Sequence, residues 1–247
     1  SYTLRGSRSI NLQSFLVWPE QLASSMAVTP PKVTQASGIL ETMSNASGIE
    51  TIESPGKKFA ITMIWAGILG WFAAFSLVIE RIHMLTNPGQ ALSCDVNPFI
   101  SCASVMKSAQ ASMFGFPNPI IGLGSFVAPI AVGVAILAGA KFAKWFWRLF
   151  MTGVTLGFIF VIYLFITSTF VLGVLCPYCM IAWVAMIAIF WATFLWSAAE
   201  GVIEVPTRTF GFFMRWSGSS WVFSLTTEVL AVVIIFFALW EDWLTIF

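Results

Sequence analysis

Val174–Trp183 reads VLCPYCMIAW. Cys176 and Cys179 stand at the C-x-x-C spacing of a redox dithiol, yet the chain on both sides is apolar. Leu149–Leu175 and Cys176–Ala199 carry no charge, and each exceeds the ~20 apolar residues a membrane-spanning helix needs. Only the Cys176-Pro177 boundary separates them. Proline is suited to the first turn of a helix, where its missing N–H costs nothing. The stretch therefore reads as the turn of a transmembrane helical hairpin, with a dithiol opening its second helix.

Composition agrees. Of 247 residues, 58% are hydrophobic and 9% charged, against about 25% charged in soluble domains. The class is a polytopic, all-α membrane protein. Net charge is +1, so there is no basic footprint for nucleic acid. The single histidine, His83, argues against a histidine-built metal centre and against Ser-His or Cys-His catalysis. Four cysteines remain, Cys94, Cys102, Cys176 and Cys179, and they are the main candidates for chemistry.

Residues 1–56 are polar, rich in Ser, Thr, Gly and Pro, and read as a flexible tail. Asn45-Ala46-Ser47 matches a glycosylation sequon weakly. Phe59–Ile79 is a first uncharged span, about 31 Å long as a helix. Pro119–Ala140 is a second. Pro129 is expected to kink it, and Gly122, Gly124, Ser125 and Ala128 to give close helix contacts. The two runs of the hairpin complete a four-helix bundle over 57–199. After a linker over 200–220, residues 221–247 carry a fifth span near Trp221–Trp240. Glu228 interrupts it and must snorkel or face protein.

Positive charge sets the orientation. Lys57, Lys58, Lys141, Lys144, Arg148, Arg208 and Arg215 all fall on one side of this topology, and only Arg81 and Lys107 on the other. The first side is expected to be cytoplasmic, with the tail inside and the protein multi-pass in the plasma membrane. The loop over 86–117, holding Cys94 and Cys102, then faces outward together with Cys176 and Cys179, where disulfides persist.

A dithiol at a helix start has a physical logic. The free N–H groups and the helix dipole favour the thiolate, and the short spacing suits a disulfide that opens and recloses. At membrane depth it is reached more readily by a lipid-dissolved quinone than by a soluble protein. In the loop, SCDVNPFISC is broken by Asn97-Pro98. The following FISCASVMKSAQASMF reads as a short surface helix with Phe99, Ala103, Met106 and Met113 near one face, interrupted by Gln110. Such a lid would hold Cys102 over the bundle and leave Cys94 accessible. Blander readings are two structural disulfide staples, a four-cysteine zinc site, which the C-x7-C spacing fits poorly, and a non-catalytic scaffold of a larger assembly. Haem attachment needs C-x-x-C-H, and Met180 follows here.

CDVNPFISC, then FPNPIIG, then LCPYCMIAW closing a hairpin resembles the vitamin K epoxide reductase family, most closely its bacterial members, over roughly residues 59–199. The disulfide bond formation protein B family has similar chemistry but carries its C-x-x-C pair first. Glutaredoxin shares C-P-Y-C but is a soluble α/β fold. The resemblance implies a bundle enclosing a quinone, menaquinone or ubiquinone. Cys179 would lie beside it, Cys176 would exchange with Cys102, and Cys94 would take electrons from a partner. It also implies quinone-site roles for Asn118, which matches an asparagine that bonds a quinone carbonyl, for Ile121 beside it, and for Asp95 and Ser108. Trp183 stands where vertebrate members carry tyrosine. It can stack on a ring but cannot accept a hydrogen bond.

The expected activity is thus a membrane thiol oxidase supporting disulfide bond formation. It would reoxidise a DsbA-like thioredoxin-fold protein and reduce a membrane quinone. Nothing of thioredoxin size follows span five, so the partner is expected to be a separate chain. The alternative within the family is reduction of a quinone or quinone epoxide driven by small dithiols.

Overall fold

The computed structural model describes residues 52–97, 99–203, 211 and 215–240. The expectations for residues 1–51, including the sequon, and for Arg208 and the linker's centre lie outside them. The described structure is helical. α1 is Lys57–Thr86, α2 Cys102–Lys107, α3 Asn118–Ser125, α4 Val127–Leu137, α5 Lys144–Ile166, α6 Pro177–Ala199 and α7 Ser220–Ala238. Among the described residues, five segments are long and apolar enough to cross a membrane: α1, the α3–α4 pair, Lys144–Leu172, α6 and α7.

α1 and α6 form the centre. α1 packs on α6, α4 and α3, while α6 is flanked by α5 and α7. The α1–α4 seam is close because glycines line it. A Cβ at Gly133 would stand 2.7 Å from the Ala60 carbonyl oxygen, and one at Gly70 would enter the Phe126 ring. Of the small residues expected to make such contacts, Gly122 does so against Ala74, whereas Gly124 faces open space. The second span is broken at Phe126. This is the work of Pro129, whose ring clashes with the carbonyl four residues back.

α1 is longer than its uncharged stretch. It continues through Glu80 and Arg81 to Thr86, so its last turns reach the loop. There Glu80 accepts a short hydrogen bond from the Ser93 hydroxyl, and Arg81 Nη1 donates to the Met106 carbonyl at 2.6 Å. The lid helix is shorter than expected. It stops at Lys107 and passes into a 3-10 turn over Ala109–Ser112. Met106 is buried and Ala103 packs beside it, but Met113 is exposed, because no helix carries it back to the same face.

α5 ends in a π-helical turn, Thr167–Leu172, and Gly173 follows in the left-handed conformation (φ 62°). Glycine takes this without a Cβ penalty, and it turns the chain into α6 within a few residues. α7 lies on the outside of α6. Trp191 Nε1 donates to Thr227 Oγ1 at 2.9 Å, and Leu239 packs against Leu175 and Trp183. Glu228 accepts from Ser224 Oγ at 2.9 Å.

Candidate functional site

The four cysteines meet at one end of the bundle. Cys176 is the residue that caps α6, Pro177 opens the helix, and Cys179 lies in its first turn. Leu175, just before them, is fixed by main-chain hydrogen bonds to the loop. Its N–H donates to the Phe99 carbonyl at 2.8 Å, and its carbonyl accepts from the Ser101 N–H at 3.0 Å. These two bonds bring Cys102 over Cys176. Cys94 and Cys102 form a disulfide with Cα atoms 5.7 Å apart. Cys176 and Cys179 are free thiols. Cys102 Sγ lies 3.3 Å from Cys176 Sγ, within reach of thiol–disulfide exchange.

The expectation that the lid leaves Cys94 accessible is corrected. Cys94 is 5% exposed and Cys102 0%. The loop folds its own first cysteine inward, against Leu77, Leu92 and Met106.

Asp95 is the clamp of this loop. Oδ1 accepts from the Ser101 hydroxyl at 2.8 Å and the Ala103 N–H at 3.1 Å, and Oδ2 from the Leu92 N–H at 3.1 Å. Burial alone would raise its pKa, but these hydrogen bonds prevail and hold the carboxyl below the usual range. For Cys176 the Cys179 thiol favours the thiolate most. Burial opposes it, the N–H groups of Cys179 and Tyr178 assist, and the Asp95 charge opposes. The net shift is downward.

Beside Cys179 opens a cavity of about 880 Å³ between α3–α4 and α5, walled by α1 and α6. Such a volume lies within the range of small-molecule sites. Its wall is almost wholly apolar, and Arg81 is its charged residue. Asn118, Ile121 and Trp183 all line it. Asn118 is buried. Its Nδ2 donates to the Gln110 carbonyl at 2.7 Å, and its Oδ1 has no partner. The Trp183 Nε1–H is likewise buried and unpaired. An apolar slot beside a thiol, with the second Nδ2–H of Asn118 as a donor, fits a quinone ring and its carbonyl oxygens.

The structure brings Asn118, Ile121, Trp183 and Cys179 to one cavity. It does not bring Asp95 there, because that carboxylate is taken up by the loop. Ser108 lines a smaller neighbouring cavity instead. Sequence reasoning missed the Leu175 tether, the Arg81 position and the π-turn. The polar triplet Thr167-Ser168-Thr169 inside an apolar run was a usable signal for the last. Among the described residues, no three His, Cys, Asp or Glu side chains form a group able to hold a metal.

No curated protein matches the chain closely enough to count as a relative. The profile of the Vitamin K epoxide reductase family matches residues 61–194, more than half of the chain. That range spans both cysteine pairs and the cavity beside Cys179, and the chain belongs to the vitamin K epoxide reductase family.

Proposed function

We propose that this oxidoreductase is a membrane thiol oxidase. It takes two electrons from a DsbA-like thioredoxin-fold protein, carries them through Cys94/Cys102 and Cys176/Cys179, and delivers them to menaquinone or ubiquinone. The observation that carries this reading is the 3.3 Å approach of Cys176 Sγ to the disulfide-bonded Cys102 Sγ, with Cys179 on the wall of the apolar cavity.

The partner's thiolate attacks Cys94, forms a mixed disulfide with it and releases Cys102; the partner's second thiol then closes the partner's own disulfide and releases Cys94. Cys102 then attacks Cys176 in an oxidised Cys176–Cys179 pair and releases Cys179. Cys94 closes on Cys102 again and frees Cys176. The quinone supplies the final acceptor, taking up two electrons and two protons as Cys176 and Cys179 become a disulfide. Asn118 would orient a quinone oxygen through its amide, and Trp183 and Ile121 would hold the ring.

The oxidising compartment is the side of the cysteines. The starts of α1 and α5, with Lys57, Lys58, Lys144 and Arg148, lie at the opposite end of the bundle. This charge asymmetry supports a cytoplasmic placement for that end.

The test is purified protein in detergent with a reduced DsbA-like partner and a soluble quinone, Cys179→Ala alongside. Quinone consumption that requires Cys179 is expected. Turnover of a quinone epoxide with a small dithiol, and none of quinone with the protein partner, would give the quinone-recycling reading instead.

A further inference from the structure

The π-turn leaves a polar annex to the large cavity. A second cavity of about 40 Å³ is lined by Ser108, Gln110, Thr167 and Ser168, and it shares Cys179 and Trp183 with the first. The four polar residues line the small cavity only. Thr167 and Ser168 are 6% and 4% exposed, within a segment otherwise apolar enough to span a bilayer. A buried polar cluster in such a segment calls for a function, and π-turns recur at functional sites.

The hydrogen-bonding inventory defines what fits. Ser108 Oγ donates to the Val105 carbonyl at 2.7 Å, and Ser168 Oγ donates to the Val174 carbonyl. Each hydroxyl has spent its proton and keeps lone pairs to accept with. On the shared wall stand one unpaired donor, the Trp183 Nε1–H, and the sulfur of Cys179. Two acceptors and a donor around a space of this size, beside a sulfur, are the complement of water.

We propose that this annex binds water, one molecule or a few, and that this water is the proton acceptor for Cys179. The inference rests on the quinone-reduction reading and deepens it. Reduction of a quinone by two thiols moves two electrons and two protons: the Cys176 and Cys179 S–H bonds break, one S–S bond forms, and the quinone oxygens become O–H. The apolar cavity has few groups to carry a proton away from Cys179 Sγ. Annex water takes that proton, leaves the thiolate to react, and returns a proton to the quinone oxygen, so none is gained or lost overall. Ser108 and Ser168 hold the water, Trp183 orients it, and Thr167 supplies a further hydroxyl. Ser108 and Thr167 are positioning residues.

The test uses full-length protein with Ser108→Ala, Thr167→Val and the conservative Thr167→Ser, none of which alters a residue lining the quinone cavity. In single turnovers of pre-reduced protein with a soluble quinone, Ala and Val variants should reduce quinone at least about tenfold more slowly, since positioned proton transfer contributes ~10²-fold or more. Quinone KM should be unchanged, the solvent deuterium effect larger, and Thr167→Ser close to wild type. A second readout omits quinone: alkylation of Cys179 by a small neutral maleimide in a Cys176→Ser background. It should slow severalfold in Ser108→Ala and Thr167→Val. If wild-type protein reduces no quinone but the alkylation difference holds, the quinone reading falls and the water site stands. If alkylation and single-turnover rates in both variants equal wild type, the proposal is overturned.

Discussion

At the scale of single residues, the sulfur of Cys176 is governed by a neighbour that helps and a neighbour that hinders. The Cys179 thiol lowers its pKa and the Asp95 carboxylate raises it, with the balance downward. A lowered pKa means more thiolate at neutral pH, and the thiolate is the attacking form. Ultraviolet titration of the thiolate, read as the difference from Cys176→Ser, should give a midpoint below the ordinary ~8.5. Cys179→Ala should move it up and Asp95→Asn down; a midpoint indifferent to both would sink this account. Asp95 has a second duty as clamp. Its own pKa is lowered, so the clamp's contribution is complete at neutral pH and is lost as pH falls through that lowered value, below ~3.9. Asp95→Asn removes the charge at all pH values. A hydrogen bond to a charged group is worth about 1.5 kcal/mol at the low end, fitting for a half-exposed carboxylate. The Cys94–Cys102 disulfide should then be reduced roughly tenfold faster by a small dithiol, measured by trapping free thiols over time. The identity of the reactive cysteines was legible from spacing alone. The burial of Cys94 was not, because it depends on where Leu92 and Met106 pack.

The elements show a similar division. Hydrophobic run length marks all five spans, since a bilayer imposes a minimum length whatever the packing. Which glycines seat one helix against another depends on rotation about the helix axis, and run length carries no information on that. Gly133 and Gly124 make the contrast measurable. A methyl at Gly133 would meet a backbone oxygen at 2.7 Å, which cannot step aside, whereas one at Gly124 would meet nothing within 4 Å. Gly133→Ala should cost about 1–3 kcal/mol by forcing α1 and α4 apart. Gly124→Ala should be neutral or gain a few tenths, because alanine favours the helix. Thermal unfolding in detergent distinguishes the two, and equal loss in both would contradict the seam described. The π-turn belongs to the same scale. Its polar triplet is visible in the sequence, but its geometry follows from the need to bring Leu175 to the loop and still start α6 at Pro177.

Across the whole molecule, the parity of spans decides whether the two cysteine pairs can meet. Three crossings separate the N-terminal lysines from the hairpin turn, and one separates them from the loop, so both pairs emerge at one end. The Cys102–Cys176 approach is the physical expression of that count. Charge asymmetry then assigns the ends to compartments, and this assignment has a direct check. In a protein with its four native cysteines replaced, Lys107→Cys and Lys57→Cys each put one exposed thiol at opposite ends. A membrane-impermeant maleimide added to intact cells should label position 107 and leave position 57 unlabelled until the membrane is opened. The reverse pattern would place the redox end in the reducing cytoplasm. There the pool of small thiols would hold the loop pair reduced, and net oxidation of a secreted partner could not run through it.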